Sequence, residues 1–201
     1  IDLTWFCSAA VGWIDKPMME KMRRAGCHTI KVGVESGVQD ILDRIQKGIT
    51  LDQIKETFRW AEEVGINTHA HMMIGHPGET EQTIEQTIEF IKKLNPTTVT
   101  FGILTPFPGT PIFEELAQEM PEIRTNFNLQ LATLHDKSNY THLICDVKPE
   151  RLAYFQKKAH RDFYWRPSYM WGWAKRMRDL ETAKTVFKAG YKIIDYSIRG
   201  D

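Results

Sequence analysis

The sequence predicts an α/β fold: a partial (β/α) barrel of the TIM type, with about four parallel strands present and helices after them. Three observations carry this. Short strand-like segments take turns with longer segments of helical period, the pattern of a parallel sheet wrapped by helices. Two helical segments close on a glycine before a strand, at Ala25-Gly26 and Val64-Gly65, a weak repeat of a βα unit. One face of the strands is also too polar to pack on helices: Glu35, the pair His69 and His71, and Thr98, Thr100 and Gly102. That face suits the inside of a ligand-holding barrel, whereas an open doubly wound sheet wants both faces apolar.

The elements follow in order. Leu3 to Ser8 reads as a strand, favoured by Trp5 and Phe6. Asp15 is an N-cap, Pro17 fits the first helical turn, and Gly26 can take the left-handed position after the helix. The strand His28 to Glu35 turns Val32 and Val34 one way and Lys31, Gly33 and Glu35 the other. A short helix spans Gln39 to Ile45. Thr50 and Gln53 form a capping box for a helix to about Val64, with Ile54, Phe58 and Ala61 as its buried stripe. Asn67 to Ile74 is the third strand, with His69, His71 and Met73 opposite Ala70, Met72 and Ile74. Glu81 to Leu94 is a helix with Ile84, Ile88 and Ile91 at helical spacing. Thr98 to Leu104 is the fourth strand. It enters Thr105-Pro-Phe-Pro-Gly-Thr-Pro111, a loop stiffened by three prolines, and Pro111 opens a helix to about Glu119. Residues 1–120 thus form the barrel part. In 121–201, residues 121–148 read as irregular, with helices at Pro149 to Trp165 and Glu181 to Ala189. Trp165, Trp171 and Trp173 with Tyr164 and Tyr169 read either as a nucleic-acid stacking surface or, more plainly, as rings packed on the barrel.

Composition narrows the function. The 201 residues suffice for one domain with a real core, and 26 basic residues balance 26 acidic ones. No net field then draws the chain to nucleic acid or to a membrane, and no apolar run approaches the roughly 20 residues that span a bilayer. Cys7, Cys27 and Cys145 are few, odd in number and far apart. They argue against a disulfide framework and for a reducing, cytoplasmic setting, with buried thiols as the default. The abrupt opening Ile1-Asp2-Leu3, with no initiator methionine, reads as a piece of a longer polypeptide.

Chemistry concentrates where strands end. Met72 to Thr80 is an apolar run, a Gly-His-Pro-Gly turn and a helix start, the place where α/β folds hold ligands. Gly75 and Gly78 let a ligand or a backbone come close, and a turn that needs glycine for geometry alone would look the same. Glu35 can accept hydrogen bonds from hydroxyls or an amine, or form a structural ion pair, for instance with Lys31. His69 and His71 have a spacing that can chelate a metal, with His76, His135, His142, Glu35 and Glu79 as further donors. Interior histidines satisfied by neighbours are commoner.

Three stretches together resemble the radical S-adenosylmethionine (SAM) superfamily: Val32-Gly-Val-Glu-Ser-Gly37 with Ile41-Leu42 and Lys47-Gly48-Ile-Thr50, Met73-Ile-Gly-His-Pro-Gly-Glu-Thr80, and Thr105-Pro-Phe-Pro-Gly-Thr-Pro111. The likeness covers residues 3–115. It is closest to members with an upstream cobalamin-binding domain, such as anaerobic Mg-protoporphyrin IX monomethyl ester cyclase-like enzymes and cobalamin-dependent methylases. The resemblance implies a 4Fe-4S cluster that reduces SAM to a 5′-deoxyadenosyl radical, which takes hydrogen from a small-molecule substrate. It implies Glu35 and Ser36 by the ribose or amino acid part of SAM, and Ile74, Gly75 and Pro77 beside the adenine. It implies Thr105, Pro106 and the residues to Pro108 at the barrel mouth.

The sequence also departs from the family. The cluster motif C-x3-C-x2-C is absent, as are the glycine-rich segment that holds the SAM amine and the cobalamin domain. An arginine that often follows the third family strand is replaced by Ala9-Ala10-Val11. The chain is therefore expected to be the C-terminal part of a radical SAM barrel, beginning at its third strand and inactive alone. Cluster ligands and any cobalamin would lie outside it. Its expected partners are the N-terminal part of the parent chain and the substrate, not nucleic acid or membrane. The open first strand is expected to self-associate or be covered. A metal-dependent hydrolase built on His69 and His71, and a non-catalytic interaction domain using the aromatic C-terminal segment, are the alternatives.

Overall fold

The computed structural model describes residues 3–126 and 144–176. Its centre is a sheet of four parallel strands in the order β1 (Trp5–Ala9), β2 (Cys27–Glu35), β3 (Asn67–Ile74), β4 (Thr98–Ile103). The connections are α1 (Lys16–Arg24), the pair α2 (Gln39–Arg44) and α3 (Leu51–Val64), and α4 (Glu81–Leu94). Beyond the sheet come α5 (Pro111–Glu119), a single turn α6 (Ile123–Asn126), α7 (Pro149–Tyr164) and α8 (Pro167–Arg176). Four parallel strands with helices confirm the α/β reading.

Local chemistry explains the helix ends. Asp15 accepts from Met18 N at the start of α1, and Thr50 and Gln53 form the expected reciprocal capping box of α3. Thr80 and Thr83 form a second box on α4, so the turn that ends β3 runs straight into a capped helix. Gly65 closes α3 in the left-handed conformation. The first strand lies two residues later than expected at its start, because Leu3 leads into the sheet without pairing.

The strands bury one face. Ile30, Val32 and Val34 of β2, Ala70, Met72 and Ile74 of β3, and Val99, Phe101 and Ile103 of β4 meet Ile54, Phe58, Ala61, Ile84, Ile88 and Ile91 from the helices. Leu152, Phe155, Ala159 and Phe163 of α7 join the same core. The opposite face carries Lys31, Gly33, His69, His71, Thr98 and Thr100, the polar set that argued for a barrel interior.

Helix α7 does more than pack. β4 pairs with β3 on one side, and on its other side α7 supplies the partners. The Tyr164 hydroxyl donates to Val99 O at 2.7 Å and accepts from Val99 N at 3.0 Å. Gln156 Nε2 donates to Phe101 O at 2.8 Å, and His160 Nε2 lies 3.5 Å from Phe101 N. Tyr169 on α8 donates to Thr97 O at 2.8 Å. Three side chains four residues apart on one helix thus stand in for a fifth strand. Arg151 and Lys158 of α7 pair with Glu81 and Glu85 of α4, and Arg166 donates to Lys92 O and Asn95 Oδ1 at the end of α4. Tyr164 and Tyr169 therefore pack on the barrel as expected, while Trp165 and Trp171 are exposed. The expected helix Glu181 to Ala189, most of the irregular segment, His135 and His142 lie outside the described residues.

Candidate functional site at the strand ends

All four strands point the same way, so Ala9, Glu35, Ile74 and Ile103 end on one rim. A hydrogen bond from Leu104 N to Ile74 O at 2.8 Å carries the contact between the two strands one residue past the Ile74–Ile103 pair. Glu35 ends β2 opposite Met72, so the predicted residues Glu35 and Ser36, Ile74 and Gly75, and Thr105 and Pro106 all follow strand ends on this rim.

Glu35 is the pivot. Its φ of 67° is left-handed, and the register with β3 slips there. The bent backbone folds the side chain back over Gly33, where Oε1 receives Lys47 Nζ at 2.8 Å. A Cβ on Gly33 would stand 2.8 Å from that oxygen and 3.2 Å from Nζ, so the glycine makes room for the pair. The expectation of an ion pair with Lys31 is corrected: Lys31 sits over the Phe6 ring, 4.4 Å from its centroid. Lys47 also lines a cleft of about 310 Å³ with the turn at Ala9, Ala10, Val11, Gly12 and Trp13, and with Gly48 and Gln53.

Ser36 is fully buried. Its hydroxyl lies 3.2 Å from Thr87 Oγ1 and accepts from Val38 N, so it braces the strand end against α4 and offers no free oxygen to the rim. Gly37 serves the same contact, since a Cβ there would meet Phe90 at 2.5 Å. Ile74 turns its side chain into the helix-covered core, which leaves its backbone for the rim. Pro106 is buried and Phe107 exposed.

The turn after β3 holds two buried polar side chains. Glu79 Oε2 accepts from Gly75 N at 2.6 Å and His76 N at 3.0 Å, while Oε1 has no hydrogen-bond partner. Burial pushes this carboxyl up to about 7 against those two donors. His76 is 4% exposed and its Nε2 has no partner. Burial lowers its pKa to about 4, with Glu35 opposing and Lys47 adding to the shift. The imidazole is therefore neutral and near the Glu35–Lys47 pair, a placement with no signal in local sequence.

The point on which His69 and His71 converge is taken by the Thr100 hydroxyl. Both nitrogens of His69 face threonine hydroxyls, Thr98 at 2.7 Å and Thr100 at 3.3 Å, and His71 Nδ1 faces Thr100 at 3.1 Å. Among the described residues no three of His, Cys, Asp and Glu gather as metal donors. Cys27 and Cys145 are buried, and burial raises both thiols. These residues do not fit an iron–sulfur cluster.

Residues 2–91 match the family model of the radical SAM superfamily. Over that stretch the similarity of the chain is to the radical SAM superfamily. It is 30% identical over its whole length to an uncharacterised methyltransferase of Pyrococcus horikoshii, of which it covers 40%. It is 27% identical, over 88% of its length and 31% of the other's, to the anaerobic magnesium-protoporphyrin IX monomethyl ester cyclase of Cereibacter sphaeroides. Among solved structures it resembles the radical SAM methyltransferase TsrM from Kitasatospora setae, solved with cobalamin and a [4Fe-4S] cluster. The TM-score is 0.53 at 26% identity, covering 57% of this chain and 23% of that one. The chain thus spans less than half the length of these relatives. No helix among its described residues is long and apolar enough to cross a membrane.

Proposed function

We propose that this chain forms the SAM-binding C-terminal part of the barrel of a radical SAM enzyme, and that the parent enzyme acts on an organic substrate by methyl transfer or oxidation. The observation that carries the reading is the rim itself. One carboxylate and one ammonium, Glu35 and Lys47, lie beside a cleft with small residues, and a buried imidazole nitrogen without a partner, His76 Nε2, sits close by. That donor set fits SAM: an amino acid group needs one cation and one carboxylate, and the bare Ile74-Gly75 backbone admits a flat base. Glu35 would accept from the ammonium or the ribose hydroxyls, Lys47 would hold the carboxylate, and Pro77, Thr105 and Pro106 would shape the wall. When bound and reductively cleaved, SAM supplies the radical that opens the reaction. Among the described residues no three donors gather that could ligate a cluster, so we assign its ligands, and any cobalamin site, to the parent polypeptide outside this chain, and expect the chain alone to be inactive. The cyclase relative favours a tetrapyrrole as substrate.

The test uses the parent polypeptide, reconstituted anaerobically with iron and sulfide and given reductant and SAM. Formation of 5′-deoxyadenosine, reduced at least tenfold in Glu35→Gln and Lys47→Met, is the expected result. Bound zinc with no 5′-deoxyadenosine would sink the proposal.

A further inference from the structure

A second polar cluster lies on the inner face of the sheet, roughly 10 Å below the rim by strand rise. It is a chain of four side chains. Thr98 Oγ1 is 2.7 Å from His69 Nδ1, His69 Nε2 is 3.3 Å from Thr100 Oγ1, and Thr100 Oγ1 is 3.1 Å from His71 Nδ1. The two imidazoles meet edge to face at 4.5 Å. His71 Nε2 has no partner among the described residues, and His71 is exposed to the lumen side.

Proton counting restricts this chain. A neutral imidazole has one N–H and one lone pair to offer, and a threonine hydroxyl has one hydrogen. With all three bonds kept, two arrangements exist. In the first, Thr98 donates to His69, His69 Nε2–H to Thr100, and Thr100 to His71 Nδ1, so His71 Nε2 carries a hydrogen outward. In the second, every bond reverses and Nε2 is a bare acceptor. Desolvation lowers the pKa of both rings, His69 to about 4 with His71 and Lys31 adding to the shift, and His71 with Lys31 adding. Glu35 opposes the shift at His71.

The charges around the chain are lopsided. Lys31 lies near both imidazoles and over the Phe6 ring, and no carboxylate among the described residues pairs with it. Glu35, the carboxylate that acts on His71 among the described residues, is bound to Lys47. A cation without a counter-ion, beside an imidazole whose outer nitrogen can carry the hydrogen, is a receptor for an anionic oxygen.

We infer that this face anchors a carboxylate of the substrate, Lys31 by charge and His71 Nε2–H by a hydrogen bond, the anionic oxygen selecting the first of the two arrangements and Thr98, His69 and Thr100 completing it. The inference deepens the proposed function, since it takes the barrel lumen as the substrate chamber. Lys31 and His71 are binding residues; Thr98, His69 and Thr100 are positioning residues.

The experiment uses the full-length protein labelled with ¹⁵N at histidine, without SAM, iron or reductant. Propionate is the carboxylate probe and propionamide its neutral counterpart. Propionate is expected to shift the His71 ring signals saturably, with affinity at least tenfold above propionamide. Lys31→Met abolishes the difference, whereas Lys16→Met, at a surface lysine paired with Glu63, keeps it. Thr98→Val weakens binding about threefold and Thr98→Ser restores it, a rescue that a packing role would not give. Equal response to both probes, no saturable response, or a response that survives Lys31→Met overturns the inference. The assay for 5′-deoxyadenosine is scored separately and needs no carboxylate in the lumen, so either result can fail without the other.

Discussion

Glu79 ties the strand end to the helix that follows by accepting two backbone N–H groups, and its second oxygen is buried without a partner. The cost shows as a pH dependence. The folded carboxyl keeps its proton up to about 7, whereas the unfolded one loses it near its ordinary value of 4.5. The folded state binds more protons between those limits, so stability is full below about 4.5, falls as pH rises to 7, and is flat above. Glu79→Gln keeps an acceptor and removes the titration. It should melt above the wild type at pH 8, by on the order of 3 kcal/mol at most, and lose that advantage at pH 5. Parallel melting curves across that range would refute the account. A second prediction concerns Gly33. Alanine there pushes the Glu35–Lys47 pair apart, so Gly33→Ala should weaken SAM binding in the parent enzyme about as much as Lys47→Met, and the double variant should be no worse than either. Isothermal titration of SAM into the four proteins decides this. Glu35 was legible in the sequence as a strand-end carboxylate. Its partner was not, because the choice of Lys47 over Lys31 depends on a left-handed residue and a side chain folded over a glycine, neither of which has a sequence period.

Most elements were legible because their periods are clean. β3 runs from Asn67 to Ile74 as its alternation predicted, with Ala70, Met72 and Ile74 inward to the helices. The edge of β4 was missed, although a signal existed: Gln156, His160 and Tyr164 recur every four residues on the buried stripe of α7, where apolar residues belong. Polar residues at core positions need partners, and an unpaired strand edge is a set of partners. Tyr164→Phe deletes one oxygen that serves both Val99 N and Val99 O. A loss of about 1–3 kcal/mol in urea unfolding is expected, together with light scattering at concentrations where the wild type stays clear. A variant as stable and as soluble as the wild type would mean that water satisfies this edge. The faces of His69, Thr98 and Thr100 were legible as polar, but which hydroxyl meets which nitrogen required the register between β3 and β4.

At the scale of the molecule, one core joins the sheet, its helices and α7, so the helical extension reinforces the barrel part. Among the described residues β1 pairs with β2 alone, and Leu3, Phe6 and Trp13 near it are exposed. Size-exclusion chromatography with light scattering should find the chain alone self-associated. It should find a one-to-one complex when the segment that precedes the matching region in the longer relatives is co-expressed. A monodisperse monomer would contradict this use of the β1 edge. The two edges of the sheet are therefore not equivalent, and assembly inherits a direction. Growth at β4 is stopped by the hydroxyl, amide and imidazole of one helix, so a strand can be added only at β1. A separated partner fragment then has a single docking end and one register to find, and a peptide meant to complement or block this barrel must be designed against β1.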